Sequence, residues 1–115
     1  MKIGVIGLGY VGLPLSMKLG QHFDTIGYDV DKNRILDLKK GIDKTLESSL
    51  QDFKNASKLT FSDSIESLVD VDFFIVTVPT PIDEANIPDL SALCIATRAI
   101  GQILKEGSIV VYEST

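Results

Sequence analysis

The sequence is poor in the residues that several function classes require. It holds one cysteine, Cys94, among 115 residues. No disulfide framework is possible within the chain, and such scarcity fits a reducing compartment. Basic residues are outnumbered, 11 Lys and Arg against 16 Asp and Glu, for a net charge of −5. The densest basic spots, KNR (32–34) and KK (39–40), are too short for the stripe that grips a phosphate backbone, which argues against DNA or RNA as a partner. No uninterrupted apolar run approaches the ~20 residues of a membrane-spanning helix. The apolar stretch behind Lys2 has the outline of a secretory leader. Four glycines and Pro14 interrupt it, however, and no A-x-A-like cleavage site follows. Repeats, low-complexity segments and metal-ligand spacings are also missing. The expectation is a soluble cytoplasmic chain with no metal and no membrane contact.

What is present suits one compact domain, with 44% hydrophobic and 23% charged residues. KIGVI (2–6) is a short β-branched run bounded by glycine and reads as a buried strand. Residues 10–22 carry Val11, Leu15 and Leu19 on one helical stripe, with Pro14 at the limit of the first turn, where amides lack intrahelical partners. TIGYD (25–29) is a second strand. DKNRILDLKKG (31–41) follows as a helix, with Asp31 placed to cap it and Gly41 to stop it. Residues 42–57 are polar and define no clear element. KLTF (58–61) predicts a third strand, SDSIESLV (62–69) a short helix, and DFFIVTV (72–78) a strand covered on both faces. After the loop PTPIDEANIP (79–88), a helix from about Asp89 carries Leu90, Leu93, Cys94, Thr97, Ile100 and Leu104 along one side. Gly107 ends it, and SIVVY (108–112) is the last strand. Strands alternating with helices imply a parallel sheet covered on both sides.

In that setting the run GLGYVG (7–12) says more than its bare pattern, because it follows a strand and opens a helix. Gly7 makes the sharp turn, Gly9 lets backbone approach a pyrophosphate, and Gly12 allows the helix to pack against the sheet. The helix N-terminus adds free amides and the positive end of a dipole. Asp29 stands at the end of the second strand, where a carboxylate accepts hydrogen bonds from both ribose hydroxyls and repels a 2′-phosphate. Lys32 and Arg34 are nearby cations that suit NADP, but Asp29 and Asp31 together point to NAD. The plain alternative for Asp29 is a solvated strand end. Ligands of open sheets sit at the carboxyl ends of the strands, which directs attention to VPTP (78–81) and EST (113–115). Pro79 and Pro81 stiffen a turn around Thr80, and a purely structural turn explains these residues equally well.

Taken together, KIGVIGLGYVGLPL, the Asp29/Arg34 pair, TVPTPID (77–83), PDLSAL (88–93) and VVYEST (110–115) resemble the N-terminal domain of the UDP-glucose/GDP-mannose dehydrogenase family. The resemblance spans essentially the whole chain. GIDKTLE (41–47) followed by TVPTPID is most similar to the branch acting on UDP-N-acetylhexosamines, which serves capsule, O-antigen and Vi-type polysaccharide synthesis. It implies a Rossmann-type open parallel sheet of about five strands with helices on both faces, with residues 1–115 as the NAD-binding domain. It also implies oxidation of C6 of the sugar to a carboxylate with two NAD per turnover. The cofactor-binding residues expected from motif and resemblance are Gly7, Gly9, Tyr10, Val11, Gly12, Asp29, Arg34, Val78, Pro79, Thr80 and Thr115. Arg34 would lie along the adenosine, or else be a solvated helix charge. Thr115 is also similar to a family threonine beside the reacting centre, an accessory role in ordering a water.

Family members continue into a linking helix and a UDP-sugar-binding domain that supplies a nucleophilic cysteine and a lysine. Their thiolate attacks the C6 aldehyde, hydride leaves to NAD, and the thioester is hydrolysed. This chain stops at EST, so it is expected to bind cofactor without turnover, the sugar and the assembly of a homo-oligomer belonging to the absent half. Cys94 does not replace the missing nucleophile; its place between Leu93 and Ile95 predicts a buried core thiol. His22 reads as a helix-end or solvated residue, and Glu47 and Glu113 have no partner carboxylate. Two other readings share the glycine turn: a dehydrogenase of hydroxy acids or acyl-CoA, which leaves TVPTPID and GIDKTLE unexplained, and a free-standing NAD-sensing module.

Overall fold

The computed structural model describes residues 1–43 and 49–113. Five strands, β1 (Lys2–Ile6), β2 (Asp24–Tyr28), β3 (Leu59–Ser62), β4 (Phe73–Val76) and β5 (Ile109–Tyr112), form one sheet in the order β3-β2-β1-β4-β5. Every pairing is parallel. β1 is central: its last residue, Ile6, aligns with Tyr28 on one side and Val76 on the other. The connections hold helices α1 (Gly12–Leu19), α2 (Lys32–Lys39), α3 (Leu50–Asn55) and α4 (Ser91–Ile103), with a short 3₁₀ helix over Ile65–Leu68.

The period of two along each strand splits the core between the two faces of the sheet. Ile3, Val5 and Ile75 point to one face, where Leu13 and Met17 of α1 and Ile35 and Leu38 of α2 cover them. Ile6, Phe74 and Val76 point to the other, against Leu68, Ala96 and Ile100. Leu13, Leu68 and Phe74 are fully buried, each contributing about 1.5–3 kcal/mol by leaving water. Chain direction across the sheet reverses between β1 and β4. The chain first steps outward from β1 to β3, then returns to the opposite side of β1 for β4 and β5.

The elements expected from sequence are found within a few residues at each end, and the fold is the Rossmann-like parallel sheet. The differences have physical causes. α1 begins at Gly12, and Val11, its N-cap, is half exposed, so the helix buries Leu13, Ser16 and Met17 while Leu15 and Leu19 pack at the margin. α3 lies in the stretch that composition left undefined. Its signal is the pair Ser49 and Asp52, which form a reciprocal capping box. Cys94 is exposed, against the expectation of a core thiol. α4 is apolar nearly all round, so two stripes satisfied the helical period. The sheet takes the one through Leu93, Ala96, Ile100 and Ile103, leaving Leu90 and Leu104 about half exposed.

Asp72 ties the starts of three strands together. Its amide donates to Lys2 O at 2.9 Å, and its carbonyl accepts from Ile109 N at 2.9 Å. Its carboxylate accepts from Lys2 N at 2.9 Å and pairs with Lys105 Nζ at 2.8 Å. The hydrogen bond from Lys105, and then that from the Lys2 amide, hold this carboxyl below its ordinary range. A depressed folded-state value stabilises above the unfolded carboxylate range and is lost as pH falls through the folded value. Asp72→Asn is therefore expected to be less stable than the parent near neutrality. The gap should narrow as urea midpoints are followed into acid; a gap constant with pH would disprove the role.

Candidate functional site

Three chain reversals converge at the carboxyl ends of β1, β2 and β4. The first begins at Gly7, whose φ of +99° suits glycine alone and whose absent Cβ would meet Val78 N at 2.9 Å. Its amide donates to Tyr28 O at 2.8 Å. A Cβ at Gly12 would overlap Gly7 O and Thr77 Oγ1, so only glycine lets α1 start this close to the sheet. Gly9 differs from both, for nothing lies within 4 Å of where its Cβ would stand. Two of the glycines are required by packing. The third leaves open space for a ligand.

At the end of β2, Asp29 accepts from Leu8 N through Oδ2 at 2.9 Å and from Asp31 N through Oδ1 at 3.0 Å. Asp31 in turn caps α2, accepting from Asn33 N at 3.0 Å and Arg34 N at 3.1 Å. α2 thereby presents Arg34 to the turn. Its Nε and Nη2 donate to Leu8 O at 3.0 and 2.7 Å, and its Nη1 pairs with Asp43 Oδ1 at 2.8 Å. This ion pair is largely out of water, with side chains 12% and 0% exposed. Burial pushes the Tyr28 phenol above its ordinary range, and the negative charges of Asp29, Asp63 and Glu66 act in the same direction.

Between these elements lies a cleft of about 430 Å³. Ile6, Gly7, Leu8 and Gly9 line it from the turn, and Tyr28, Asp29, Val30, Asp31 and Arg34 from the β2 side. Val78, Pro79 and α4, through Ala92, Ile95, Ala96 and Ala99, supply an apolar wall. Of the residues expected to bind cofactor, Gly7, Gly9, Asp29, Arg34, Val78 and Pro79 line this cleft. Gly12 is buried behind the turn, while Tyr10 and Val11 are exposed at the head of α1. Thr80 is half-buried and outside the lining. Thr115 and Glu47 lie outside the described residues. Cys94, His22 and Glu113 are exposed and none borders the cleft. Among the described residues, no group of three or more His, Cys, Asp or Glu is placed to hold a metal ion. No helix among them is long and apolar enough to cross a membrane.

A glycine turn between strand and helix, at the point where sheet order reverses, with a fixed carboxylate beside it, is the arrangement of a dinucleotide site. Comparison with known proteins agrees. Residues 1–115 match the profile of the UDP-glucose/GDP-mannose dehydrogenase family, NAD binding domain. The chain belongs to this family. It is 49% identical over 115 residues to the UDP-N-acetyl-D-glucosamine 6-dehydrogenase of Pseudomonas aeruginosa, covering 100% of this chain and 27% of that protein. The enzyme of the same name from Salmonella typhi is 47% identical over the same share of each chain. Among solved structures, a ternary complex of GDP-mannose dehydrogenase from Pseudomonas aeruginosa superposes with a TM-score of 0.90 at 27% identity, over 100% of this chain and 28% of that one. The UDP-D-ManNAc dehydrogenase of Pyrococcus horikoshii does so with 0.86 at 33% identity, again over 100% and 28%. The chain thus spans little more than a quarter of the length of the relatives it matches.

Sequence reasoning passes over two side chains that hold this turn. Thr77 reads as one more strand residue, and its one signal is a hydroxyl closing an otherwise apolar run. Asp43 lies in a polar stretch where spacing does not separate it from its neighbours. The tight seat of α1 yields a direct test. Gly12→Ala is expected to cost about 1–3 kcal/mol of stability or more through overpacking. An unchanged urea midpoint would show that α1 can shift outward at no cost.

Proposed function

We propose that the cleft holds NAD, with the diphosphate on the turn formed by Gly7, Gly9, Tyr10, Val11 and Gly12 and the adenosine ribose on Asp29. The observation that carries this reading is the pairing of unused amides with a fixed carboxylate. Among the described residues, the amides of Gly9, Tyr10 and Val11 donate to no protein acceptor, while the Asp29 carboxylate stands 2.9 Å from the neighbouring Leu8 N. The apolar wall of Val78, Pro79 and the small residues of α4 suits the flat face of a base. Arg34, with Nε, Nη1 and Nη2 each donating one hydrogen bond to Leu8 O or Asp43, is held so that its planar face meets the adenosine. Val78, Pro79, Thr80 and Thr115 would follow the cofactor toward its nicotinamide end. When bound, NAD supplies a hydride acceptor. The chain's own residues bind it, orient it and exclude water.

The same reading extends to the whole protein. The relatives named as UDP-N-acetyl-D-glucosamine 6-dehydrogenases, together with the 42% identical Protein CapL of Staphylococcus aureus, support a nucleotide-sugar 6-dehydrogenase. It would oxidise C6 of a UDP-N-acetylhexosamine to the uronic acid, in the cytoplasm, for surface polysaccharide such as capsule or O-antigen. Residues 1–115 are then its cofactor half. A linking helix and a UDP-sugar domain supply the nucleophile and the contacts of a homo-oligomer, and Thr115 orders a water at the reacting centre.

NADP is disfavoured by two carboxylates, Asp29 and Asp31, beside the ribose position, with the nearby guanidinium already paired. Calorimetry is expected to show NAD binding far more tightly than NADP, and Asp29→Ala weakening NAD by ~1.5–3 kcal/mol, as for loss of charged hydrogen bonds. NAD at a hundredfold excess over its Kd should raise apparent stability by about 2.7 kcal/mol. Equal affinity for the two nucleotides, or no response in the alanine variant, would refute the site. Incubating the intact protein with NAD and UDP-N-acetylglucosamine or UDP-N-acetylgalactosamine is expected to yield two NADH per uronic acid formed. Binding without turnover of any UDP-sugar would leave a sensing module as the better account.

A further inference from the structure

The turn that carries the unused amides also has carbonyls, and a phosphate would be repelled by any that faced it. Those of Gly7, Leu8 and Gly9 are held elsewhere. Gly7 O accepts from Thr77 Oγ1 at 2.6 Å, Leu8 O accepts both Arg34 donors, and Gly9 O accepts from Leu13 N at 3.2 Å. The second and shorter-range consequence concerns the amides. In a planar trans peptide the C=O and the following N–H point in opposite directions. With Leu8 O drawn inward to Arg34, the Gly9 amide is turned outward. With Gly7 O drawn to Thr77, the Leu8 amide is turned toward Asp29, where it makes the 2.9 Å bond that fixes the carboxylate.

Neither holding group belongs to the glycine pattern. Thr77 comes from the end of β4, 70 residues away from Gly7 in the chain, and is buried. Its hydroxyl has one proton, and the 2.6 Å contact to Gly7 O outcompetes the 3.2 Å contact to Ile6 O, which already accepts the Thr77 amide at 2.8 Å. Arg34 is held in turn by Asp43, whose carboxylate is wholly buried. Without that partner, a guanidinium next to an anion site would be drawn from Leu8 O toward the ligand or water.

We propose that Thr77 and Asp43 are positioning residues of the dinucleotide site: they set the peptide planes of the turn, Thr77 directly and Asp43 through Arg34, so that amides and not carbonyls meet the diphosphate. The proposal rests on the reading of this cleft as the NAD site, and binding by the parent protein tests that reading separately. The experiment is calorimetric titration of the intact protein with NAD, ADP-ribose and adenosine, alongside urea midpoints. Thr77→Val, which keeps shape and loses the hydroxyl, is expected to weaken NAD and ADP-ribose by about tenfold, and Thr77→Ser to restore them. Asp43→Asn is expected to weaken the two diphosphate ligands by a similar factor and adenosine, which loses only its packing on Arg34, by clearly less. Lower stability with unchanged affinity in the folded variants would overturn the proposal, leaving both residues a structural role only. So would equal losses for all three ligands in Asp43→Asn. Should Thr77→Val fail to fold, Thr77→Ser at wild-type affinity and the ligand pattern of Asp43→Asn decide the matter. Failure of the parent protein to bind NAD would overturn the site itself.

Discussion

The architecture depends on one contact that contains almost no atoms: the backbone of Gly12 lying directly on the carbonyl of Gly7 and the hydroxyl of Thr77. Because no Cβ intervenes, α1 starts against the sheet instead of above it. Gly7 can then leave β1 at positive φ, with Val78 backbone filling the place of its side chain. Everything at the cleft inherits its position from this seat. It determines where α1 aims its free amides, how near β4 comes to the turn, and how Leu8 reaches both Asp29 and Arg34. A methyl group in the wrong place would separate these elements before any question of ligand affinity arose.

The charge distribution explains how a chain of net charge −5 suits an anionic ligand. Among the described residues, the cation lining the cleft is Arg34, its charge balanced by Asp43 and its Nε and Nη2 turned to a backbone oxygen. The flanking carboxylates Asp29 and Asp31 are likewise occupied with amides. What remains for a diphosphate is a set of peptide dipoles at a helix start. Such recognition is short-ranged and directional, whereas a lysine cluster would attract any polyanion. The surroundings of Tyr28 and Asp29 add negative charge on the β2 side of the cleft.

Much of this was legible beforehand, and the reasons are specific. Strands β1 and β4 are short, apolar and bounded by glycine or proline, so they admit one reading. The glycine run could be interpreted because each position has a different steric task, and the place of Asp29 because it closes the second strand, beside that run. Helix faces were harder. α4 has more apolar residues than one face can hold, so periodicity alone did not decide that Ala96 rather than Cys94 meets the sheet. α3 rests on a two-residue capping box within polar sequence, where local hydrogen bonds replace hydrophobic pattern. Thr77 and Asp43 were invisible for a further reason: their partners, the Gly7 carbonyl and the Arg34 guanidinium, are brought near by the fold, and no spacing in sequence encodes that.

The sheet order has a consequence for how the molecule forms. β1, β2 and β3 are consecutive in sequence and adjacent in space, and they share a core with α1 and α2. β4 must instead return across the sheet to pair with β1, joining Lys2 to Asp72 over 70 residues. Closure over that distance carries the larger chain-entropy cost. The ligand cleft lies on that seam, and its glycine turn is tied by a hydroxyl from the returning strand. A half-formed domain therefore has the nucleotide fingerprint but not its shape, so the binding surface comes into being only with the last long-range pairing.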